Sequence, residues 1–362
     1  MNHPVSRRAL LCAAASPLMG FDLSDSAAGP QVAQKYPLEV GLWYTVWWDG
    51  KDHPEQWNGV VQKLPVLGKY TARDPQIIAK HYEMMRDCGI TFLIFDQTNT
   101  LFVNNGVLDQ RVKAWYDFMD AKKPSARIPL CIAFGGELNQ HHNKEGFYSA
   151  ADYLFKTYAN RPSQMKIEGK PLVLWYISED VLSDWKDDRW TIKRAFHFLR
   201  TPDQAKWGGW GWGSHTLPPP NKECMSLKPG WHLRPASDWP RQGGAEYMRH
   251  WLRVLASKPR YVTICDWNNF FEETAIEDSL EWTDTYGTPT PDWYRQITKQ
   301  YVTLLQTGGL TSGCCYKEED SDKIWQSSVR QLTLQKAPPH GAPVILLPSG
   351  MLDSLPKRTA SR

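Results

Sequence analysis

Four stretches of this chain are almost wholly apolar: Val40–Trp48 (VGLWYTVWW), Ile90–Phe95 (ITFLIF), Ile128–Phe134 (IPLCIAF) and Pro171–Ile177 (PLVLWYI). A strand with one wet face alternates apolar and polar residues. A run without alternation needs cover on both faces, which a parallel sheet flanked by helices provides. Helical signals follow the runs. Pro75–Cys88 has Asp74 as its N-cap, Pro75 at the first helical position and Gly89 as its stop. Helices are predicted around Gln110–Asp120, near Ser149–Tyr158 and from about Val181. Ala195–Arg200 and Glu223–Leu227 read as weaker strands, Ala245–Ala256 as an amphipathic helix, Tyr261–Trp267 as a strand and Pro291–Leu305 as a final long helix. About seven strands in β–α alternation predict an α/β fold, a (β/α)8 TIM barrel, over an open doubly wound sheet. No Gly-x-Gly-x-x-Gly follows the first run, so a dinucleotide-binding fold loses its main support.

The flanks read differently. Ser6-Arg7-Arg8, the apolar run Ala9–Phe21 and the small residues Ser26-Ala27-Ala28 have the pattern of a cleaved export signal of twin-arginine type over residues 1–28. The expected destination is the periplasm or the extracellular space. Residues 29–307 form the expected barrel, 308–355 a small C-terminal β-appendage and 356–362 a disordered tail. Trp207–Pro220 (WGGWGWGSHTLPPP) is too irregular for an element and reads as a loop. No later segment looks membrane-spanning, and a monomer is expected.

Charge narrows the partners. Lys and Arg number 42 against 39 Asp and Glu, so there is no basic excess with which to displace counterions from nucleic acid. The seven cysteines show no zinc-ligand spacing. Cys131 and Cys265 lie in apolar runs where a thiol packs as a small hydrophobe, and the pairing of the others is open. His141-His142 is an adjacent pair without further ligands. No metal and no cofactor is expected.

The surplus is in tryptophan, 18 residues in 362. Flat apolar rings with one polar edge suit a cleft for saccharides. In a barrel the site lies beyond the C-terminal ends of the strands. There the sequence collects Trp47, Trp48, Asp49 and Trp57 after the first strand, then Asp96, Thr98 and Asn99 after the second. Glu137 follows the third and Glu179-Asp180 the fourth; Asn268-Asn-Phe-Phe-Glu-Glu-Thr-Ala-Ile-Glu277 follows Trp267. Carboxyl groups among aromatic rings suit glycosidic bond hydrolysis, where one acid must stay protonated to assist the leaving oxygen. Trp47, Trp48 and Trp231 are expected to stack on sugar, Trp175 and Trp251 to sit in the core. Asp96 has a second reading, as a loop cap through Thr98 or Asn99. Glu277 reads chiefly as a structural partner of Arg241 or Arg234.

Several motifs together resemble glycoside hydrolase family 99, the endo-α-mannosidase family. They are Gly68-Lys-Tyr-Thr-Ala-Arg-Asp-Pro75, Ile132-Ala-Phe-Gly-Gly-Glu137, Gly169-Lys-Pro-Leu-Val, Pro229-Gly-Trp231, Arg241-Gln-Gly-Gly-Ala-Glu-Tyr247 and the 268–277 stretch. The family pattern for that last stretch is Asn-Glu-Trp-His-Glu-Gly-Thr-x-Ile-Glu. The resemblance, over about residues 40–305, implies a (β/α)8 barrel and a retaining α-glycosidase. It also implies two glutamates three residues apart. The first takes a proton from the sugar's own 2-hydroxyl, and the second serves as general acid and then base. The second falls on Glu272. The first falls on Asn269, which cannot accept a proton, and the tyrosine of Pro-Gly-Tyr is Trp231. Three readings stay open. Glu272 works with a substitute carboxylate (Asp96, Glu137 or Glu273), or the chain is a carbohydrate-binding pseudoenzyme, or Glu273 does the work of Glu272. Asn268, Asn269, Asn99, Asp49, Arg241 and Glu277 complete the expected contacts to an oligo- or polysaccharide.

Overall fold

The computed structural model describes residues 37–50, 57, 61, 63–98, 106–135, 144–177, 185–196, 209–213, 218, 220–232, 238–284 and 286–307. The expected export signal, β-appendage and tail lie outside them.

Seven parallel strands carry the fold: β1 (Glu39–Thr45), β2 (Phe92–Gln97), β3 (Leu130–Gly135), β5 (Lys170–Ile177), β6 (Thr191–Phe196), β7 (Cys224–Leu227) and β10 (Tyr261–Ile264). They pair in the order β6-β5-β3-β2-β1-β10-β7. The last described strand in sequence therefore sits beside the first. Two-residue β4 (Lys166–Ile167) turns back on β5, and β8 (Trp231–His232) pairs with β9 (Asp238–Trp239) as a separate ribbon.

Both faces of the sheet are covered, as the unbroken apolar runs require. Leu42, Tyr44, Leu93, Phe95, Ile132 and Val173 face the helices. These are α1 (Pro75–Asp87), α2 (Val107–Asp120), α3 (Lys144–Tyr158), α4 (Ala245–Ser257) and α5 (Trp293–Thr307). The alternate residues, Trp43, Phe92, Ile94, Cys131, Leu174, Tyr176 and Tyr261, form a second cluster on the concave face. Trp210 and Trp212 fill this hollow; Trp210 lies 6.1 Å from the Phe92 ring, and Trp212 lies 5.9 Å from Trp43 and 4.9 Å from Tyr176. Glycine is required at position 41 because the Phe92 ring would lie 2.1 Å from a Cβ there.

Local signals hold. Asp74 Oδ1 accepts the Gln76 N–H (2.8 Å), Pro75 starts α1, and Gly89 takes a left-handed φ of 83° beyond its end. Trp175 and Trp251 are buried in the core. Two elements differ from expectation. The helix predicted from about Val181 is absent from its described part: residues 185–190 are irregular, with a turn at 188–189, and lead directly into β6, which starts at Thr191, ahead of the expected Ala195. Part of the predicted 207–220 loop runs beside β7, where Gly209 N–H donates to Cys224 O (2.8 Å) and Ser226 Oγ donates to Gly211 O (2.6 Å). Cys88, Cys131, Cys224 and Cys265 are buried free thiols.

Candidate active site

Beyond β10 the chain doubles back on itself over residues 266–277. Asp266 N–H donates to Thr274 O (3.2 Å) and Ile276 N–H donates to Asp266 O (3.0 Å). The loops at the C-terminal ends of the strands hold the segment in place. Trp267 N–H donates to Trp43 O (2.8 Å), Trp48 Nε1 donates to Asn268 O (2.7 Å), and His232 N–H donates to Glu272 O (2.9 Å). Arg241 donates through Nη1 to Glu273 O (2.7 Å) and through Nη2 to Ala275 O (2.6 Å). Its guanidinium lies between the Trp282 and Tyr294 rings, 3.9 and 3.8 Å from their centroids. Charge, planarity and two parallel donors are all used, so a lysine would not serve here.

Within the segment, Glu272 and Asn269 face each other. Asn269 Nδ2 donates to Glu272 Oε2 (3.0 Å), and Glu272 N–H donates to Asn269 Oδ1 (3.0 Å). Glu272 is half-buried and Asn269 buried. Glu273 turns away and ion-pairs with Lys63. Its φ of 52° is left-handed, a region that costs an ordinary residue about 1–2 kcal/mol and a glycine little. The family pattern has glycine at this position, so the backbone supports the register that aligns Glu272 with the second glutamate.

Several residues expected to touch sugar are committed to the framework. Trp48 is 1% exposed and stacked on Trp57 at 4.0 Å. Asp49 is buried in an ion pair with Arg111 (2.7 Å), whose Nη1 also donates to Val46 O and Trp47 O. Asn268 uses its whole amide: Oδ1 accepts from Thr45 N–H and Oγ1, and Nδ2 donates to Thr45 O and Tyr70 Oη. Glu277, fully buried, meets His81 Nε2 (3.0 Å) and accepts from Tyr70 Oη (2.7 Å), while Arg241 is spent on Glu273 O and Ala275 O; Arg234 lies outside the described residues. These four are buried in contacts that shape the loops, and Arg241, although bonded to the loop backbone, borders the cavity described below. Asp96 Oδ1 accepts from Thr98 N–H (3.0 Å) and Oγ1 (2.8 Å), the loop-cap arrangement. Trp47 stays half-buried, edge-on to Trp48. Asn99, Glu137 and His141-His142 lie outside the described residues.

Trp231 borders a cavity of about 390 Å³ that also presents Lys63, Glu273, Trp239, Gln242 and Trp282. This hollow lies on the Glu273 side of the segment; Glu272 and Asn269 do not line it.

Sequence reasoning missed Asp266. It is buried beside Asn269, whose N–H donates to its Oδ1 (2.8 Å). Desolvation raises its carboxyl to about 8, with Glu272 and Asp96 pushing the same way and the Asn269 N–H and Lys228 opposing. The only signal was an acid at the end of an apolar run, the pattern that did single out Asp96. His250, by contrast, is pushed down to about 3 by burial and by Arg249 and Lys228, so it stays neutral. Among the described residues no three His, Cys, Asp or Glu gather as a metal site, and no helix is long and apolar enough to cross a membrane.

The comparisons come to this geometry from outside. The family model described as Glycosyl hydrolase family 99 matches residues 49–192. The structure of the GH99 endo-alpha-mannosidase from Bacteroides thetaiotaomicron superposes with a TM-score of 0.57 at 15% identity, covering 75% of this chain and 99% of that one. A structure titled glycoside hydrolase-like protein gives a TM-score of 0.52 at 14% identity, covering 77% and 97%. At these identities the structural likeness is one of fold. No curated protein matches the chain. The family 99 resemblance is borne out by the match, in a divergent form.

Proposed function

From the family 99 match over residues 49–192, we propose that this chain is a divergent glycoside hydrolase that cleaves an α-linked oligo- or polysaccharide, with α-mannosyl linkages the first candidates, and that Glu272 is its general acid/base. The observation that carries this is the Asn269–Glu272 couple on a loop beyond β10, a half-exposed carboxyl held in one rotamer by an amide. Such a group protonates the bridging oxygen as the C–O bond breaks, and later takes a proton from water. Binding by Trp47, Trp231 and the outside residues Asn99 and Glu137 belongs to the same reading.

The barrel framework is part of the proposal. Among the described residues the seven strands leave one gap, between β6 and β7, and Gly209–Gly213 lies along the β7 side of it. Lys193 on β6 ion-pairs with Glu223 beside β7. This segment is read as the irregular eighth stave. Export to the periplasm or beyond, with removal of residues 1–28, and a monomeric state complete the picture, together with the small appendage after residue 307.

One observation favours a second reading. Asn269 stands where the resemblance expects a base, and the second reading is a carbohydrate-binding pseudoenzyme. A screen of α-linked glycans, α-mannans included, for new reducing ends separates the two when run beside Glu272→Gln. The hydrolase reading expects release by the parent and loss in the variant. Equal release by both would refute the assignment, and binding without release would establish the pseudoenzyme.

A further inference from the structure

The cavity of about 390 Å³ on the Glu273 side of the segment is lined by neither member of the Asn269–Glu272 couple. Its size falls within the range of small-ligand sites. Trp231 and Trp239 stand directly opposite each other on the β8–β9 ribbon, both half-buried, and Trp282 forms a third indole wall. The rings are held from behind. Trp239 packs on His250, 5.1 Å between centroids. Trp282 carries the Arg241 guanidinium against its face (3.9 Å) and gives its N–H to Glu277 O (2.7 Å). Polar groups complete the lining: the Lys63–Glu273 ion pair, and the exposed side chains of Gln242 and Glu281. Two of these residues hold left-handed backbone, Gln242 (φ 49°) and Glu273 (φ 52°). Such conformations persist only where the surroundings impose them, and they gather at binding sites. The family pattern has glycine at position 273 and tyrosine at 231, so this carboxyl and this indole are the chain's own.

We propose that this cavity is a second saccharide site, which takes a neutral pyranose unit of a glycan chain apart from the place where Glu272 acts. Lys63 and Arg241 balance Glu273 and Glu281 along its wall. That balance favours neutral sugars over those bearing carboxylate, sulfate or phosphate, which would meet two carboxyls for every two cations. Hydroxyls donate and accept at once, and they suit a wall that offers an ammonium, carboxylates and an amide together. The indole faces cover the apolar C–H face of the ring. The ribbon links the two places, because His232 N–H, next to Trp231, donates to Glu272 O (2.9 Å). Binding here stands on the cavity alone; its use, to anchor a chain that Glu272 cuts, rests on the hydrolase reading.

The test watches the indoles. The probes are methyl α-mannoside, α-mannotetraose and maltotetraose, with tetragalacturonate as the anionic control. ¹⁵N-tryptophan labelling, with Trp231→Phe and Trp239→Phe for assignment, follows the indole N–H signals of the folded chain. Neutral sugar should shift the Trp231 and Trp239 signals in the parent and in Glu272→Gln alike. A Trp239 signal unmoved by all three sugars in the millimolar range overturns the proposal. So does a shift that vanishes in Glu272→Gln, or a stronger response to tetragalacturonate. Calorimetry in the Glu272→Gln background gives a second readout with the tetraose that shifts the signals. Trp239→Ala should weaken its binding about tenfold. Gln242→Gly removes an amide at a position whose backbone suits glycine, and should weaken binding about threefold. Unchanged affinity in both variants also overturns the proposal, and if Trp239→Ala fails to fold, Gln242→Gly decides. Absence of cleavage by the parent would refute the hydrolase reading, while the second site is judged by the indole signals and the calorimetry.

Discussion

Replacing Asp266 with asparagine should change how stability depends on pH. The folded chain holds this carboxyl at about 8 against a usual value of 3.8. At 1.36 kcal/mol per pH unit, ionising it inside the fold costs on the order of 5 kcal/mol more than in the unfolded chain. The sign follows from which state binds the proton. A raised carboxyl favours the folded state fully below about 4, and that contribution drains away as pH rises toward 8. Above 8 both states are ionised and the loss is complete. Since whole domains are stable by only about 5–15 kcal/mol, the slope should be conspicuous. Asparagine keeps an oxygen for the Asn269 N–H and has nothing to ionise. Urea unfolding at intervals from pH 5 to pH 9 would measure both curves. The parent should weaken progressively and Asp266→Asn should stay nearly level, so that the variant gains on the parent by several kcal/mol by pH 9. Parallel curves would refute the reasoning, because they would mean that Asp266 titrates as an ordinary exposed acid.

Three further outcomes follow from particular contacts. Glu277→Ala removes the acceptor shared by His81 and Tyr70 in a fully buried site; chemical denaturation should show a loss of about 3–5 kcal/mol. Glu273→Gly relieves a left-handed residue and gives up a partly exposed ion pair with Lys63. Those effects are each about 1 kcal/mol and opposed, so the melting temperature should hold or rise slightly, and any glycan cleavage should persist. Trp48→Ala empties the place of an indole stacked on Trp57 and should cost about 3–5 kcal/mol. The half-buried Trp47→Ala should cost clearly less stability and act mainly on glycan affinity, measured by calorimetry.

What the sequence made legible was what depends on near neighbours. The Asp74-Pro75 start and Gly89 end of α1 are decided by backbone groups within a turn, and the unbroken apolar runs are decided by strand burial. The tryptophan surplus was harder to read. Trp43, Trp48, Trp57, Trp115, Trp210, Trp251 and Trp267 are fully buried, so packing absorbs many of the rings that composition assigned to a cleft. A count cannot tell a ring facing a ligand from one facing the core. The partners of Glu277 were beyond reach for another reason. His81 and Tyr70 are 196 and 207 residues away along the chain, and only closure of β10 against β1 brings them together. Asp266 was overlooked because it sits in an apolar run and looks like the last residue of a strand.

Those buried indoles have a further effect. Trp48, Trp57, Trp282 and Trp293 each spend their single N–H on a main-chain oxygen of an irregular stretch: Asn268, Tyr70, Glu277 and Gly243. Each such bond fastens a loop to a bulky, immobile ring, so the rim around Glu272 is given its shape during folding. A guest molecule would then meet a mould already set, and little of its binding energy would go into ordering the host.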